Sequence, residues 1–284
     1  MRHVGRIGAT ALAALAAGPL WAACATDAEV AAFVAAHEAR QPTPALAAGG
    51  TMADARCTAE KVRAAMEEKL GPVIGYKAGL TSAASMEAFG VEEPVMGVLY
   101  RDMMLEDGAT VPEAFGARPL FEADLILVVG DAAINGATTR EEAMAHVAEV
   151  RPFIELPDLM YAEGEPLTGV TITAGGVAPR MGVLGAAIPV TDPAAMVETL
   201  GAMTVRVTNA AGEVMAEAPG SVVLGNPAES VLWLLEQGVE LETGDMISVG
   251  SIGPLMPPAQ AGGGASVTYE GLGDGASVSV NFSS

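Results

Sequence analysis

Two acidic residues interrupt the apolar stretch Phe121-Glu-Ala-Asp-Leu-Ile-Leu-Val-Val129, which we interpret as the strand that organises the fold. Alternate residues of a strand point to the same face, so Glu122 and Asp124 project together on the side of Ile126 and Val128. Two carboxylates on an apolar strand are costly to bury unless a cation neutralises them or a proton is shared between them. The stretch therefore predicts an acidic pair that holds a cation. The alternative is a strand end at which both acids face solvent.

A third acid lies in a second apolar stretch, Arg151-Pro-Phe-Ile-Glu-Leu-Pro157, in which Glu155 is flanked by apolar residues. Three carboxylates without nitrogen or sulfur ligands suit Mg²⁺, Mn²⁺ or Ca²⁺. The chain has 2 cysteines, 3 histidines and no Cys-x-x-Cys pattern, which excludes a zinc cage of cysteine and histidine. We predict a divalent-cation site formed by Glu122, Asp124 and Glu155.

A lysine occupies the middle of a glycine-containing segment, Gly75-Tyr-Lys-Ala-Gly-Leu-Thr-Ser82, which reads as a strand as far as Gly79. Glycines in a strand allow another backbone or a ligand to approach closely. Lys77 is therefore a candidate for holding the carboxylate of an anionic substrate. The alternative is an exposed lysine on a strand.

The first part of the chain is predicted to be helical. Apolar residues recur at helical spacing from Thr26 to about Leu70, and Thr51 with Asp54 has the pattern of a capping box. Helix starts are predicted at Thr26 or Asp27, at Thr51, at Thr81 or Ser82, after Thr139 and at Pro227.

Beyond this region the apolar residues repeat with a period of two, which is typical of strands. Predicted strands are 73–79, 97–100, 121–129, 150–156, Val170–Thr173, 181–184, 203–208, 213–218, 246–249, 266–270 and 276–282. Many short strands with few helices predict an α+β fold, a rolled mixed β-sheet over residues 73–284 behind an N-terminal helical region over residues 26–72.

The first residues have the order of a secretory signal peptide. A start with two arginines precedes a short Ala/Leu-rich segment, Ile7–Leu20, and small residues follow. We expect residues 1–25 to be a leader and the mature protein to be periplasmic or secreted, with the cut before Thr26 or near Ala22 and Ala23. The alternative is an N-terminal extension from a wrongly assigned start.

The two cysteines are Cys24 and Cys57. They can pair in an oxidising compartment if the cut leaves Cys24 on the chain. Otherwise Cys24 is lost and Cys57 is a buried, inert thiol.

The charge of the chain excludes one class of partner. The formal net charge is −21, the pI is near 4.3, and no basic run occurs. A nucleic-acid binder needs lysines and arginines to displace counterions from phosphates, so we expect no nucleic-acid partner. No later stretch is apolar for the about 18 residues that a membrane span needs.

A series of short motifs follows in order along the chain. They are Gly75-Tyr-Lys-Ala-Gly-Leu-Thr-Ser82, Phe89-Gly-Val-Glu-Glu-Pro94, Gly97-Val-Leu-Tyr-Arg-Asp-Met103, Glu122-x-Asp124, Glu155-Leu-Pro-Asp158, Leu224-Gly-Asn-Pro227 with Trp233, Gly244-Asp-Met-Ile247 and Gly250-Ser251. From about Ala28 to Phe282, the chain resembles the 2-keto-4-pentenoate hydratase and 4-oxalocrotonate decarboxylase group of the fumarylacetoacetate hydrolase superfamily.

The resemblance implies a fold, a metal and a chemistry. The fold would be the rolled mixed β-sheet of that superfamily, and the metal would be Mg²⁺ or Mn²⁺. The implied activity is a lyase of hydratase type that acts on a 2-hydroxydienoate or 2-keto acid by stabilising an enolate. The implied site residues are Glu122, Asp124 and Glu155 for the metal, Lys77 and Asp102 for catalysis, and Lys77, Leu80 and Ser251 for the substrate. Relatives often form oligomers, so a homo-oligomer is a further expectation.

The chain departs from the family pattern at several positions. Asp124 stands where members usually carry glutamate, Ala174-Gly-Gly-Val-Ala178 replaces Ala-Asp-Asn-Ala-Ser, and Gly253 replaces threonine. These changes remove polar groups from the expected site. A second possibility is therefore a non-catalytic protein that binds a metal ion and a keto acid in the same pocket. A carbon–carbon bond hydrolase is a third possibility. Its His–Glu base would be His37-Glu38, on a helix where a lone histidine is more often at the surface.

Overall fold

A computed structural model describes Met1 and residues 23–284, so most of the predicted leader, residues 1–25, lies outside the described residues. The helices are α1 (Asp27–Ala39), α2 (Met52–Leu70), α3 (Ala83–Phe89), α4 (Arg140–Met144), α5 (Gly169–Ala174), α6 (Pro193–Ala202) and α7 (Glu229–Glu236). The strands are β1 (Val73–Gly79), β2 (Val95–Tyr100), β3 (Met104–Glu106), β4 (Ala109–Pro112), β5 (Glu122–Val129), β6 (Val147–Leu156), β7 (Met181–Leu184), β8 (Ile188–Pro189), β9 (Thr204–Asn209), β10 (Val214–Pro219), β11 (Met246–Ser248), β12 (Gly264–Glu270) and β13 (Ser277–Ser283).

The strands form two mixed sheets. The larger sheet has the order β2-β1-β11-β5-β6-β7-β3, with β8 paired to β6, and the smaller sheet has the order β10-β9-β12-β13-β4. Parallel pairs, such as β1 with β11, lie beside antiparallel pairs, such as β5 with β6. The predicted α+β fold with a rolled mixed sheet is confirmed.

The main hydrophobic core lies between the two sheets. Leu125 and Leu127 of β5 and Ile247 of β11 are fully buried in it, together with Val207 and Val267 of the smaller sheet. Since neighbours along a strand alternate between faces, Glu122, Asp124, Ile126 and Val128 point to the other side of β5. The central strand therefore supports the core with one face and presents its acids on the opposite face.

The two long helices before the sheet begin with the capping boxes that the sequence contains. Thr26 with Glu29 caps α1, and Thr51 with Asp54 caps α2, with the side chain of each threonine accepting a backbone N–H in the first turn. Among the described residues, no helix combines the length and the hydropathy of a transmembrane span.

A disulfide joins Cys24 to Cys57 in α2, with Cα atoms 5.3 Å apart. It closes a loop across a sequence separation of 33. A crosslink of this length restricts the unfolded chain and stabilises the fold by roughly 2–4 kcal/mol. The sequence left open whether the two cysteines pair, and in the structure they form a disulfide.

One predicted strand is wrong. Residues Val170–Thr173 lie in helix α5 because the Thr168 side chain accepts the Thr171 N–H at the helix start. This cap outweighs the strand preference of a β-branched segment. Helix α6 was not predicted, although Asp192 as N-cap and Pro193 in the first turn are a helix-start signal.

Candidate metal centre

Three buried carboxylates converge on one face of the larger sheet. Glu122 of β5 lies directly opposite Glu155 of β6, and Asp124 follows two residues later on the same face of β5. One carboxylate oxygen from each of these three acids lies within 4.8 Å of the others. Their exposed fractions are 6% for Glu122, 0% for Asp124 and 1% for Glu155. The alternative of acids in solvent at a strand end is therefore wrong.

The Asp124 carboxylate is held from three sides. Its Oδ1 accepts the backbone N–H of Gly250 at 3.0 Å and that of the next residue, Leu125, at 2.6 Å. Its Oδ2 accepts the hydroxyl of Ser248 at 2.5 Å. These bonds fix the orientation of the shorter side chain that stands here instead of glutamate.

Lys77 supplies the positive charge that faces the acids. It is 3% exposed, its ammonium group forms an ion pair with Glu155, and it also donates to the Val177 carbonyl at 3.0 Å. Gly97 lies opposite Lys77 in the register of β1 and β2, and a side chain there would come within 2.9 Å of Lys77 Cγ. Glycine at position 97 therefore leaves the room that the buried lysine occupies, and the alternative of an exposed strand lysine is wrong.

The electrostatics of the group call for a further cation. Three carboxylates share one lysine, so ionising all of them leaves uncompensated negative charge in a buried site. Burial, followed by the charge of Glu155, raises the pKa of Glu122 well above its usual value. The same two causes raise the pKa of Asp124 to about 7 despite its hydrogen bond from Ser248. An all-oxygen donor set of this kind fits a hard divalent ion.

Metal affinity is expected to depend on pH because the ion competes with protons for these carboxylates. We expect the affinity for Mg²⁺ to fall roughly tenfold per pH unit for each proton displaced as pH drops below about 7, the pKa of Asp124. Calorimetric titrations in buffers of different ionisation enthalpy measure both the affinity and the protons released. An affinity that stays flat down to about pH 5.5 would contradict the raised pKa values.

In the metal-free protein, the free energy of unfolding should fall as pH rises, whereas the metal affinity rises with pH. Since the folded pKa of Asp124 lies above its unfolded value, the folded state binds more protons between these two pKa values. This carboxylate therefore lowers the free energy of unfolding as pH rises from about 4 to about 7, and a bound cation should remove that loss.

Ser248 is a residue of the site that the sequence analysis did not select. Its signal was available, since it is a hydroxyl residue inside the predicted strand 246–249. We expect Ser248→Ala to weaken Mg²⁺ binding about tenfold, because groups that orient a ligand typically contribute that much. Ser230→Ala is the matched control, since the Ser230 hydroxyl is also buried but donates to the Val249 carbonyl instead. Equal effects of both substitutions on affinity would show that Ser248 does not act through Asp124.

Three further residues implied by the resemblance lie outside this buried group of acids and lysine. Asp102 pairs with Arg101 at 2.8 Å, and both side chains are more than half exposed. The Ser251 hydroxyl donates to the Gly253 carbonyl at 2.8 Å. Leu80 has a positive φ of 58° and packs in a small apolar cluster with Val95. Their catalytic and substrate-binding roles stay predictions.

The histidine expected at the surface is buried. His37 is 6% exposed and its Nε2 lies 3.2 Å from the Pro179 carbonyl. Burial, and secondarily Arg180, lower the pKa of His37 to about 4. Glu38 instead pairs with Lys69 at 3.0 Å. The two residues therefore do not form the His–Glu base that a carbon–carbon bond hydrolase would need.

A cleft of about 1020 Å³ borders the buried group at Gly97 and Gly176. The backbone of these two glycines separates it from the Lys77 side chain, because an added Gly97 Cβ would lie 2.9 Å from the Gly176 carbonyl and 2.9 Å from Lys77 Cγ. Thr173 and Trp233 also line it, and within the described part of the chain the Thr173 hydroxyl and the Trp233 indole N–H have no hydrogen-bond partner.

Comparison with known proteins places the chain in a family. No family model matches it. A 4-oxalocrotonate decarboxylase from Pseudomonas putida is 30% identical over 236 residues, which is 82% of this chain and 86% of the relative. A second decarboxylase, from Pseudomonas sp. (strain CF600), is 31% identical over 238 residues. The chain belongs to the 2-keto-4-pentenoate hydratase and 4-oxalocrotonate decarboxylase family. The 2-hydroxyhexa-2,4-dienoate hydratase of Comamonas testosteroni, also of this family, is 30% identical over 71% of the chain and 76% of its own length.

Solved structures of this family share the fold. The 4-oxalocrotonate decarboxylase from Pseudomonas putida G7, complexed with magnesium and adipate, superposes with a TM-score of 0.77 at 26% identity over 90% of this chain and 97% of that chain. A fumarylpyruvate hydrolase from Pseudomonas aeruginosa, at 17% identity and a TM-score of 0.53, shares the fold alone. The predicted class of cofactor, a hard divalent cation, is confirmed. It is supported by the three buried acids of this chain and by the magnesium in the decarboxylase complex.

Proposed function

We propose that this protein is a metal-dependent lyase of hydratase type that acts on a 2-hydroxydienoate or the corresponding 2-keto acid. The observation that carries the proposal is the buried group of three carboxylates within 4.8 Å, with Lys77 paired to Glu155 beside them. Membership of a family with named hydratases supports the reaction class. Glu122, Asp124 and Glu155 hold the cation in this proposal.

The protein residues prepare the site for an anionic, enolisable ligand. When bound, the cation supplies Lewis-acid stabilisation of negative charge on the 2-oxo and carboxylate oxygens of the ligand. Glu155 would hold the cation, and the Lys77 ammonium beside it can attract the ligand carboxylate or hold a proton for transfer. The low exposure of the group excludes water, which strengthens each of these interactions.

The large cleft is the place for the organic part of the ligand in this proposal. It borders the buried group at Gly97 and Gly176, and Gly176 lies where family members carry a polar side chain.

The decisive experiment is a turnover assay with the purified mature protein. We expect loss of dienoate absorbance that requires Mg²⁺ or Mn²⁺ and stops when a chelator is added. A protein that binds metal but consumes no 2-hydroxydienoate would overturn the hydratase proposal. Thermal stabilisation by oxalate or pyruvate only with metal present would then favour the non-catalytic binding protein.

Decarboxylation is the second candidate reaction. Both decarboxylases cover 82% of the chain, against 71% for the Comamonas hydratase. The same assay therefore includes 4-oxalocrotonate, with release of CO₂ as the readout. Metal-dependent CO₂ release without hydration of a dienoate would assign the chain to this reaction.

We also propose that the protein is exported and works in the periplasm or outside the cell. The order of charged, apolar and small residues at the start of the sequence supports this location. The Cys24–Cys57 disulfide supports it as well, because disulfides persist in oxidising compartments. Fractionation of cells that express the full chain tests the location, and recovery only from the cytoplasm would contradict it.

A further inference from the structure

The last three residues of the expected leader, Ala23 to Ala25, are each bound to the fold. The Ala23 N–H donates to the Asp54 carboxylate, and Cys24 is in the disulfide to Cys57. The Ala25 N–H donates to the Thr58 hydroxyl at 2.9 Å. This segment therefore belongs to the folded protein and not to a leader that is discarded.

The contacts of Ala25 strengthen this conclusion. Its side chain is only 8% exposed and packs in the cluster that contains Phe33 and Met66. Its carbonyl accepts the Lys61 ammonium group at 3.0 Å. A cut before Thr26 would remove all of these contacts together with the disulfide.

The sequence on its own allows that later cut as well as an earlier one. Leader peptidases prefer small residues at the first and third positions before the cleaved bond, and Ala23-Cys-Ala25 fits this pattern. A cut after Ala23 would put the bulky Trp21 at the third position. A cut after Ala22 puts Leu20 there and alanine next to the bond, and it keeps every contact of the segment.

We propose that the leader is cleaved between Ala22 and Ala23, and that the amino group released on Ala23 becomes the ionic partner of Asp54. This inference rests on the proposed export. Hydrolysis by the leader peptidase of the exporting cell consumes one water, leaves a carboxylate on Ala22 and an ammonium group on Ala23. The expected leader boundary of residue 25 thereby moves to residue 22.

Asp54 is placed to receive this charge. It is 8% exposed and accepts the Thr51 N–H at 2.6 Å and the Thr51 hydroxyl at 2.7 Å. Hydrogen bonds from Thr51, and then from the Ala23 N–H, hold the pKa of Asp54 below its usual value, so it is ionised at neutral pH. A charged donor in place of the Ala23 amide gives a stronger, charge-assisted hydrogen bond.

The first test uses the full chain, leader included, in a bacterial host. Mature protein is recovered from the periplasm by osmotic shock, and its N-terminal sequence and intact mass are determined. We expect a chain that starts at Ala23 and that offers both of its 2 thiols to alkylation only after reduction. A start at Thr26 with one thiol, a start at Cys24, or an acylated Cys24 would each overturn the proposed cut. Full-length chain found only in the cytoplasm would instead refute export, so the two failures are distinguishable.

The second test measures the reactivity of the amino group on Ala23. Asp54→Asn is compared with Glu29→Gln, because Glu29 is the equivalent capping-box acid of α1 and does not contact Ala23. We expect amine-specific labelling of Ala23 to be about tenfold faster in Asp54→Asn than in wild type or Glu29→Gln, since the free ammonium loses its partner. Equal labelling rates in all three proteins, each checked for a native thermal transition, would overturn the role given to the amino group.

Discussion

Glu122→Gln is expected to weaken Mg²⁺ binding by at least about 100-fold and to leave the metal-free fold intact. The substitution keeps the size of the side chain and removes one of the three buried carboxyl groups that can ionise to bind the cation. Of the three acids, Glu122 has the fewest structural duties, because Asp124 is bound to Ser248 and Gly250 and Glu155 is bound to Lys77. Calorimetry gives the affinity, and the thermal midpoint of the metal-free protein gives the stability, which should not fall.

The matched control is Glu149→Gln. Glu149 also lies on β6 in the larger sheet, but it is partly exposed and lies 3.7 Å from Arg151. This control should bind Mg²⁺ as tightly as wild type. Full metal affinity in Glu122→Gln would contradict the ligand assignment.

Lys77→Met is expected to separate catalysis from metal binding. Turnover should fall by about 10²–10⁴-fold, the usual contribution of a positioned proton-transfer group. Metal affinity at about pH 8.5 should not fall, because the ammonium group competes with the cation for Glu155 and repels it. The metal-free protein should lose roughly 3–5 kcal/mol of stability at this pH, since the substitution leaves buried carboxylates without their cation.

Lys69→Met is the control for the lysine substitution. Lys69 is exposed on α2 and pairs with Glu38, so its removal should change neither stability nor turnover by a measurable amount. If metal affinity and turnover fell together in Lys77→Met, Lys77 would be a structural support of the acids and not a residue that acts on the ligand.

The sequence predicted two of the three acids, Glu122 and Asp124, from local strand geometry. Glu122 and Asp124 share a face because they are two residues apart on a strand, and this follows from the chain alone. That Glu155 lies opposite Glu122 depends on the register of β5 with β6, which a spacing of residues cannot give. The sequence added Glu155 to the pair only because it is a third acid in an apolar strand, and the family resemblance implied the same set.

The residues that contact the acids, Lys77 and Ser248, could not be predicted locally either, because their positions also depend on strand pairing. Lys77 and Ser248 become neighbours through the parallel pairing of β1 with β11, across most of the chain length. Long-range pairing of this kind is set by the whole sheet and not by the propensity of either strand. The error at Val170–Thr173 was local, since β-branched residues were weighed above the Thr168 cap.

The contacts of Ala23 to Ala25 with helix α2 could not be predicted from residue spacing either. The pattern of small residues allowed cuts on either side of Cys24, whereas the contacts of this segment with α2 are made only in the folded chain. The pairing of Cys24 with Cys57 therefore ties this segment to α2.

The most direct test of the central claim is anomalous diffraction from crystals of the mature protein grown with Mn²⁺. We expect one strong anomalous peak between the carboxylates of Glu122, Asp124 and Glu155, with metal–oxygen distances of about 2.0–2.3 Å. A peak at another site, or none at this group when Mn²⁺ is saturating, would contradict the account.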